Sequence, residues 1–216
     1  MKHLPNIMLK QIYNYFADKI VTWIGTVKWH TTRTLTTYDK DIIKQKLTDN
    51  YFIILTRHDG YLSSYAIAFS HFLLTGKVGY YAHSLMNVED TVKNDDDYRF
   101  IEATRIGVHY SGFDQAIDDQ TSSVVLLKPK NMALNRWTEV LDKARSYVGK
   151  EYDTLYDLAN DNKLSCVELI RQALRGEPDY DINFAEFEKM IRKSKNLDPQ
   201  MFYECSDFEI ECEIRH

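Results

Sequence analysis

The chain has 216 residues, 44% of them hydrophobic and 27% charged, with a formal net charge of -5. That length and apolar content suit one globular domain with a sizeable core, with or without appended elements, and eight glycines and four prolines exclude a collagenous or linker-like chain. Lysines and arginines are scattered among carboxylates, so no basic stripe exists and nucleic acid is excluded as the main partner.

Residues 5 to 24 place Ile7, Met8, Ile12, Phe16, Ile20 and Ile24 at helical spacing, which predicts a helix packed on the main body. The apolar run from Ile20 to Val27 is broken by Thr22, Gly25 and Thr26, and Asp18 and Lys19 precede it. It is too short for a signal peptide and falls well below the roughly 20 apolar residues of a membrane span. The expectation is a cytoplasmically made protein with no signal peptide and no transmembrane segment.

A Thr-rich stretch (Thr31 to Thr37) leads into a short charged helix over 39–47, and Tyr51-Phe52-Ile53-Ile54-Leu55 reads as a buried strand. His58-Asp59-Gly60 marks a turn, Leu62 to Leu74 a helix ended by Gly76, and Val78 to Val88 a strand. The acidic run Asn94 to Asp97 reads as the solvated tip of a hairpin. Calcium binding there would need the spacing and closing Glu of an EF-hand, and both are missing. Strands are predicted again at Tyr98 to Ala103, Ile106 to Tyr110 and Ser122 to Lys128. A helix over 131–148 with Gly149 as its C-cap follows, then one over 164–174. The acidic section 177–216 holds a predicted helix (184–193) and a terminal strand (208–214). Consecutive strands on short loops, with helices segregated from them, imply an α+β domain: a mainly antiparallel sheet packed on helices.

Cys166, Cys205 and Cys212 are too few for a disulfide framework, and their odd number leaves at least one free thiol. They read as reduced thiols. No C-x-x-C and no His/Cys cluster with zinc spacing is present, so neither a metal nor another cofactor is expected.

The chemistry concentrates at Cys166. The polar stretch Asn160 to Lys163 precedes Leu164-Ser165-Cys166-Val167-Glu168-Leu169, so the thiol falls in the first turn of a helix. Backbone N–H groups and the positive end of the helix dipole favour a thiolate there, and the same groups can cradle an oxyanion. A lone cysteine at such a place is also a common small core residue. A thiolate nucleophile needs a base, and the base needs an orienting group. His83 lies within a strand, and Glu102, between Ile101 and Ala103, lies in the strand reached after the acidic hairpin. Neighbouring strands would put both side chains on one face. His71, in Phe69-Ser70-His71-Phe72, is the rival base; its place in a helix before Gly76 puts it second to His83.

Four stretches together resemble a known family, the circularly permuted papain-fold amidases, YiiX-like relatives of the NlpC-type cell-wall hydrolases. They are Tyr51 to Arg57 with the Ser-rich helix start after it; Tyr81-Ala82-His83-Ser84-Leu85; Phe100-Ile101-Glu102-Ala103 with Gly107-Val108; and Gly149-Lys150-Glu151-Tyr152-Asp153 leading to Cys166-Val167-Glu168-Leu169. They span roughly residues 50 to 175, in the order His, acid, Cys that is the reverse of papain's. Val167 stands where the family has Ser, Asp49-Asn50 replaces its Gly-Asp, and the hairpin between His83 and Glu102 is long.

The resemblance implies a permuted papain-like catalytic domain over 49–176, flanked by a helical extension at 1–48 and an acidic extension at 177–216. It implies Cys166 as nucleophile, His83 as base, Glu102 as orienting acid and Tyr152 near the oxyanion pocket. The implied activity is cysteine hydrolysis of an amide, with a peptidoglycan peptide as the first substrate class. Acyl thioesters or lipid acyl groups are the alternative. A third reading is an inactive binding component, using the terminal extensions as docking elements in a larger assembly such as a virus particle.

Overall fold

The computed structural model describes residues 15, 19, 20, 23–48, 50–88, 98–130, 132–154, 162–175, 190 and 197–216. The acidic tip at 94–97 and most of the helices predicted over 5–24 and 184–193 lie outside the described residues. The described elements are, in order, α1 (Thr37–Leu47), β1 (Ile53–His58), α2 (Leu62–Thr75), β2 (His83–Asn87), β3 (Phe100–Thr104), β4 (Gly107–Ser111), α3 (Phe113–Ala116), β5 (Thr121–Pro129), α4 (Leu134–Arg145), α5 (Cys166–Leu174), α6 (Pro199–Glu204) and β6 (Phe208–Arg215). The short helices α3 and α6 had no periodic signal long enough to be read from sequence.

The strands form one sheet in the order β4-β3-β2-β1-β5-β6, and every pairing is antiparallel. Its two faces are set by the alternation along each strand. Ile53, Leu55, Met86, Ile101, Val125 and Leu127 face α4, α5 and α6 through Trp137, Leu141, Leu169, Ile170 and Phe202. Ile54, Leu85, Phe100, Val124 and Leu126 face the opposite way, against Ile43 and Leu47 of α1 and Phe113 and Ile117 at α3. Each such side chain, removed fully from water, contributes roughly 1.5–3 kcal/mol. The sheet is thus sandwiched between helices, in agreement with the α+β expectation.

Local chemistry explains most boundaries. The α1 N-terminus is a capping box in which Thr36 accepts from the Asp39 N–H and Asp39 accepts from the Thr36 N–H. Gly76 ends α2 in the left-handed region at φ 76°, where its missing Cβ removes the strain. Helix α4 stops at Arg145, capped by Ser146; Gly149, expected as its C-cap, instead takes φ 93° after a further turn. There its N–H donates to the Val108 carbonyl, and Val108 N–H donates to Lys150 O, both at 2.8 Å. A Cβ at Gly107 would collide with that Lys150 carbonyl, so glycine lets segment 149–152 lie against β4.

Strand β2 begins at His83 rather than at Val78, because the preceding backbone donors are spent elsewhere. Gly79 N–H donates to Ala68 O of α2, and Tyr80 and Tyr81 N–H both donate to the side-chain oxygen of Gln200, at 2.8 and 3.2 Å. The C-terminal section therefore supports the strand that carries His83: α6 supplies Gln200, and β6 pairs with β5 along its length. Replacing Gln200 by Met strands two N–H groups, each costing about 1–3 kcal/mol if left without an acceptor. Urea unfolding of Gln200→Met is expected to show a midpoint lowered by roughly 2 kcal/mol equivalent with an unchanged slope. An unchanged midpoint would show that water replaces the amide.

Candidate active site

Cys166 is the first residue of α5, and its position is fixed by a capping box. Ser165 is the N-cap; its side chain accepts from the Glu168 N–H, and the Glu168 carboxylate accepts from the Ser165 N–H at 2.8 Å. All three residues are buried. The first N–H groups of a helix have no intrahelical acceptor; with that of Glu168 taken up by Ser165, those of Cys166 and Val167 remain beside the thiol at the start of α5.

His83 opens β2, and its neighbour Glu102 sits on β3 directly opposite Leu85. One diagonal step along the antiparallel ladder therefore puts the two side chains on the same face. Their contact is close: His83 Nε2 lies 2.7 Å from Glu102 Oε2. With Nε2 so engaged, Nδ1 is the other side of the ring, and Cys166 is the neighbour that raises the pKa of His83 most. Glu102 holds a second imidazole, His109 of β4, directly across the ladder. His109 Nε2 lies 3.7 Å from Glu102 Oε1, while its Nδ1 donates to Gly107 O at 2.9 Å.

The electrostatics are those of an ion pair. Burial opposes a charge on His83, but the hydrogen bonds to Cys166 and Glu102 outweigh it and push its pKa up to about 10. Burial likewise opposes the thiolate, yet the hydrogen bond and charge of His83, aided by Ser84, hold Cys166 below the ordinary thiol range. Burial would raise Glu102 too; His83, Ser111 and His109 more than compensate, so it stays a carboxylate. Each shift runs toward the charged form: the thiol and the carboxyl are lowered and the imidazole is raised.

The three residues open onto a cleft of about 530 Å³, lined also by α2, by the β3–β4 turn, by Tyr152 and by the segment Leu197 to Pro199. Tyr152 stands half-buried in this wall. His71, the rival base, is elsewhere engaged: it is 1% exposed, with Nδ1 2.9 Å from Asp198 Oδ2 and Nε2 3.6 Å from Glu204 Oε1. These contacts tie α2 to the C-terminal segment, and the imidazole that lowers the pKa of Cys166 is that of His83. Cys205 and Cys212 are free thiols, one buried and one partly exposed.

Two cleft residues escaped the sequence reading, His58 and Asp118. His58 is not in the turn that His58-Asp59-Gly60 predicts but ends β1, paired with Thr121 of β5. His109, within the strand predicted at Ile106 to Tyr110, is a third residue that escaped it. The signal for it was available, since a two-residue turn at Arg105-Ile106 sets His109 opposite Glu102.

Burial, the dominant cause, and the nearby charge of His83 hold His58 down at about 4 against the pull of Asp118. Between about pH 6.5 and 4 an unfolded chain binds a proton that the folded chain refuses, so folding stability falls as pH falls through that window. His83, already protonated in both states there, adds nothing to this slope. Urea unfolding of His58→Gln at several pH values is expected to show a flatter acid limb than wild type, and equal slopes would contradict the buried neutral imidazole.

A buried thiol at a helix N-terminus, a strand histidine that lowers its pKa and a carboxylate behind that histidine thus share one cleft. Residues 61–207 match the family of permuted papain-like amidases, YaeF/YiiX, C92, and the chain belongs to that family. The fold is similar to the crystal structure of the metalloprotein YiiX from Escherichia coli O157:H7, with 15% identity and a TM-score of 0.53 over 79% of this chain and 99% of that one. No curated protein matches the chain significantly.

Proposed function

We propose that the chain hydrolyses an amide bond through a thioester formed on Cys166. The observation that supports this reading is the thiol of Cys166 at the head of α5, its pKa lowered by His83, whose Nε2 lies 2.7 Å from Glu102 Oε2. The Cys166 thiolate attacks the carbonyl carbon, and the oxyanion is stabilised by the amide N–H groups at the start of α5. Tyr152, implied by the family pattern to lie near this pocket, forms part of the same wall. His83 gives its Nδ1 proton to the departing amine, which breaks the C–N bond. It then takes a proton from water as the water attacks the thioester, and the thiolate leaves. Glu102 keeps the imidazole oriented and stabilises its charge.

Peptide amides of the peptidoglycan type are the substrate class put first, following the family resemblance. The YiiX neighbour is described as a metalloprotein; among the described residues here no three His, Cys, Asp or Glu side chains are grouped to hold a metal ion. The test is product release from a panel of muropeptides, N-acyl amides and acyl thioesters by wild type and Cys166→Ala. Cysteine-dependent cleavage of the amides supports the proposal. Turnover restricted to thioesters, or cleavage that persists without Cys166, overturns it.

A further inference from the structure

The cleft holds a second acid–imidazole pair beside the one assigned to catalysis. It is built by the end of β1 and the turn that enters β5. The β1–β5 register slips between Arg57 and His58, so that Arg57 pairs with Ser123 but His58 with Thr121, leaving Ser122 as the extra residue. Such a bulge re-aims the side chains next to it. The preceding turn is pinned by Asp118, whose Oδ1 accepts from Gln120 N–H and the Thr121 hydroxyl, both at 3.0 Å. Because Thr121 holds Asp118 and also pairs with His58, the carboxylate arrives beside the imidazole: Nε2 of His58 lies 3.6 Å from Asp118 Oδ1. Tyr61 completes the group, donating its hydroxyl to Asp118 Oδ2 at 3.2 Å and packing edge-on against the His58 ring. His58, Tyr61 and Asp118 all line the cleft that holds Cys166 and His83.

This pair is not a second general base for the same step. The proton-carrying imidazole is His83, and a second positive charge next to it would oppose the ion pair with Cys166; His58 accordingly stays neutral. The Asp118 carboxylate, 3.6 Å from Nε2, favours the neutral tautomer that carries its proton on that nitrogen, which leaves a lone pair on Nδ1. Among the described residues that nitrogen has no hydrogen-bond partner, and its ring belongs to the cleft wall. We propose that His58, oriented by Asp118, is a substrate-binding residue that accepts a hydrogen bond from an N–H group next to the carbonyl attacked by Cys166. The cleft then selects amides bearing an N–H over esters and thioesters. This rests on the proposed cysteine hydrolase and narrows its substrate class.

The probes are iodoacetamide, which carries an amide N–H, and methyl iodoacetate, an ester of similar size without one. Alkylation of Cys166 in the full chain is measured with each, and each rate is divided by that of a free cysteine derivative. Wild type is expected to prefer the amide about tenfold beyond the free thiol, the effect of one neutral hydrogen bond. His58→Phe keeps the ring packing and loses the preference, while His58→Asn, which retains an acceptor, keeps part of it. Both variants still react at Cys166 below the ordinary thiol range, which shows that the fold and the Cys166–His83 pair survive. No preference in wild type, or a preference that survives in His58→Phe, overturns the proposal while leaving the hydrolase intact. If wild-type Cys166 titrates as an ordinary thiol, the hydrolase reading fails and this assignment falls with it.

Discussion

His83→Ala is expected to slow alkylation of Cys166 by iodoacetamide about 100-fold near pH 6. In the folded chain the imidazolium of His83 is the largest influence holding the thiol in its ionised form against burial. Without it, Cys166 is a thiol buried among Leu164, Val167 and Leu169, with only the start of α5 to favour its charge. A thiol of ordinary pKa near 8.5 is ionised in only about 0.3% of molecules at pH 6, and burial reduces that further. The full ratio is not realised, because a thiolate of low pKa is intrinsically less nucleophilic, which offsets part of the gain. Peptide-resolved mass spectrometry across pH reads the effect directly, with Cys205 and Cys212 as internal references. A Cys166 rate that does not change in His83→Ala would mean that the histidine is not its partner.

Glu102→Gln is expected to give the next largest change, a loss of about 10- to 100-fold in the same low-pH rate. The substitution keeps size and one hydrogen bond to His83 Nε2 but removes the charge that the imidazolium faces at 2.7 Å. The sign follows from the linkage: without the carboxylate the pKa of His83 falls from about 10, and the thiol pKa rises in step. The alkylation profile therefore moves to higher pH. Glu102→Leu removes the hydrogen bond as well, leaves His109 facing an apolar group, and is expected to lose stability in addition. If Gln and Leu behave alike and neither moves the profile, Glu102 is a structural carboxylate only.

Much of this site was legible in the chain because its parts are local signals. A cysteine after Leu164-Ser165 and three residues before Leu169 announces a helix start, and Ser165 with Glu168 proves to be the capping box that fixes it. The pairing of His83 with Glu102 was readable from a hairpin, since two strands joined by a polar tip are neighbours and a carboxylate between Ile101 and Ala103 needs a partner. What sequence could not supply was long-range. Nothing near Tyr80 announces that Gln200, 120 positions later, takes its N–H, which is why β2 was read as starting five residues early. His71 looked like a rival base because its carboxylate partners, Asp198 and Glu204, come from the far end of the chain. His58 was hidden for a similar reason: its place in the cleft depends on a register slip against β5 that no local pattern encodes. The section 177–216, set apart by its composition, supplies β6 to the central sheet and Gln200 to the strand bearing His83.

The most direct test of the central claim is to incubate the wild-type chain with p-nitrophenyl acetate near neutral pH and locate any acetyl group by peptide mass spectrometry. A cysteine hydrolase built on Cys166 predicts a thioester on that residue, formed with a burst of nitrophenol and then cleared by water, with no acetyl on Cys205 or Cys212. An unmodified Cys166, or acetylation spread equally over the three cysteines, would contradict it.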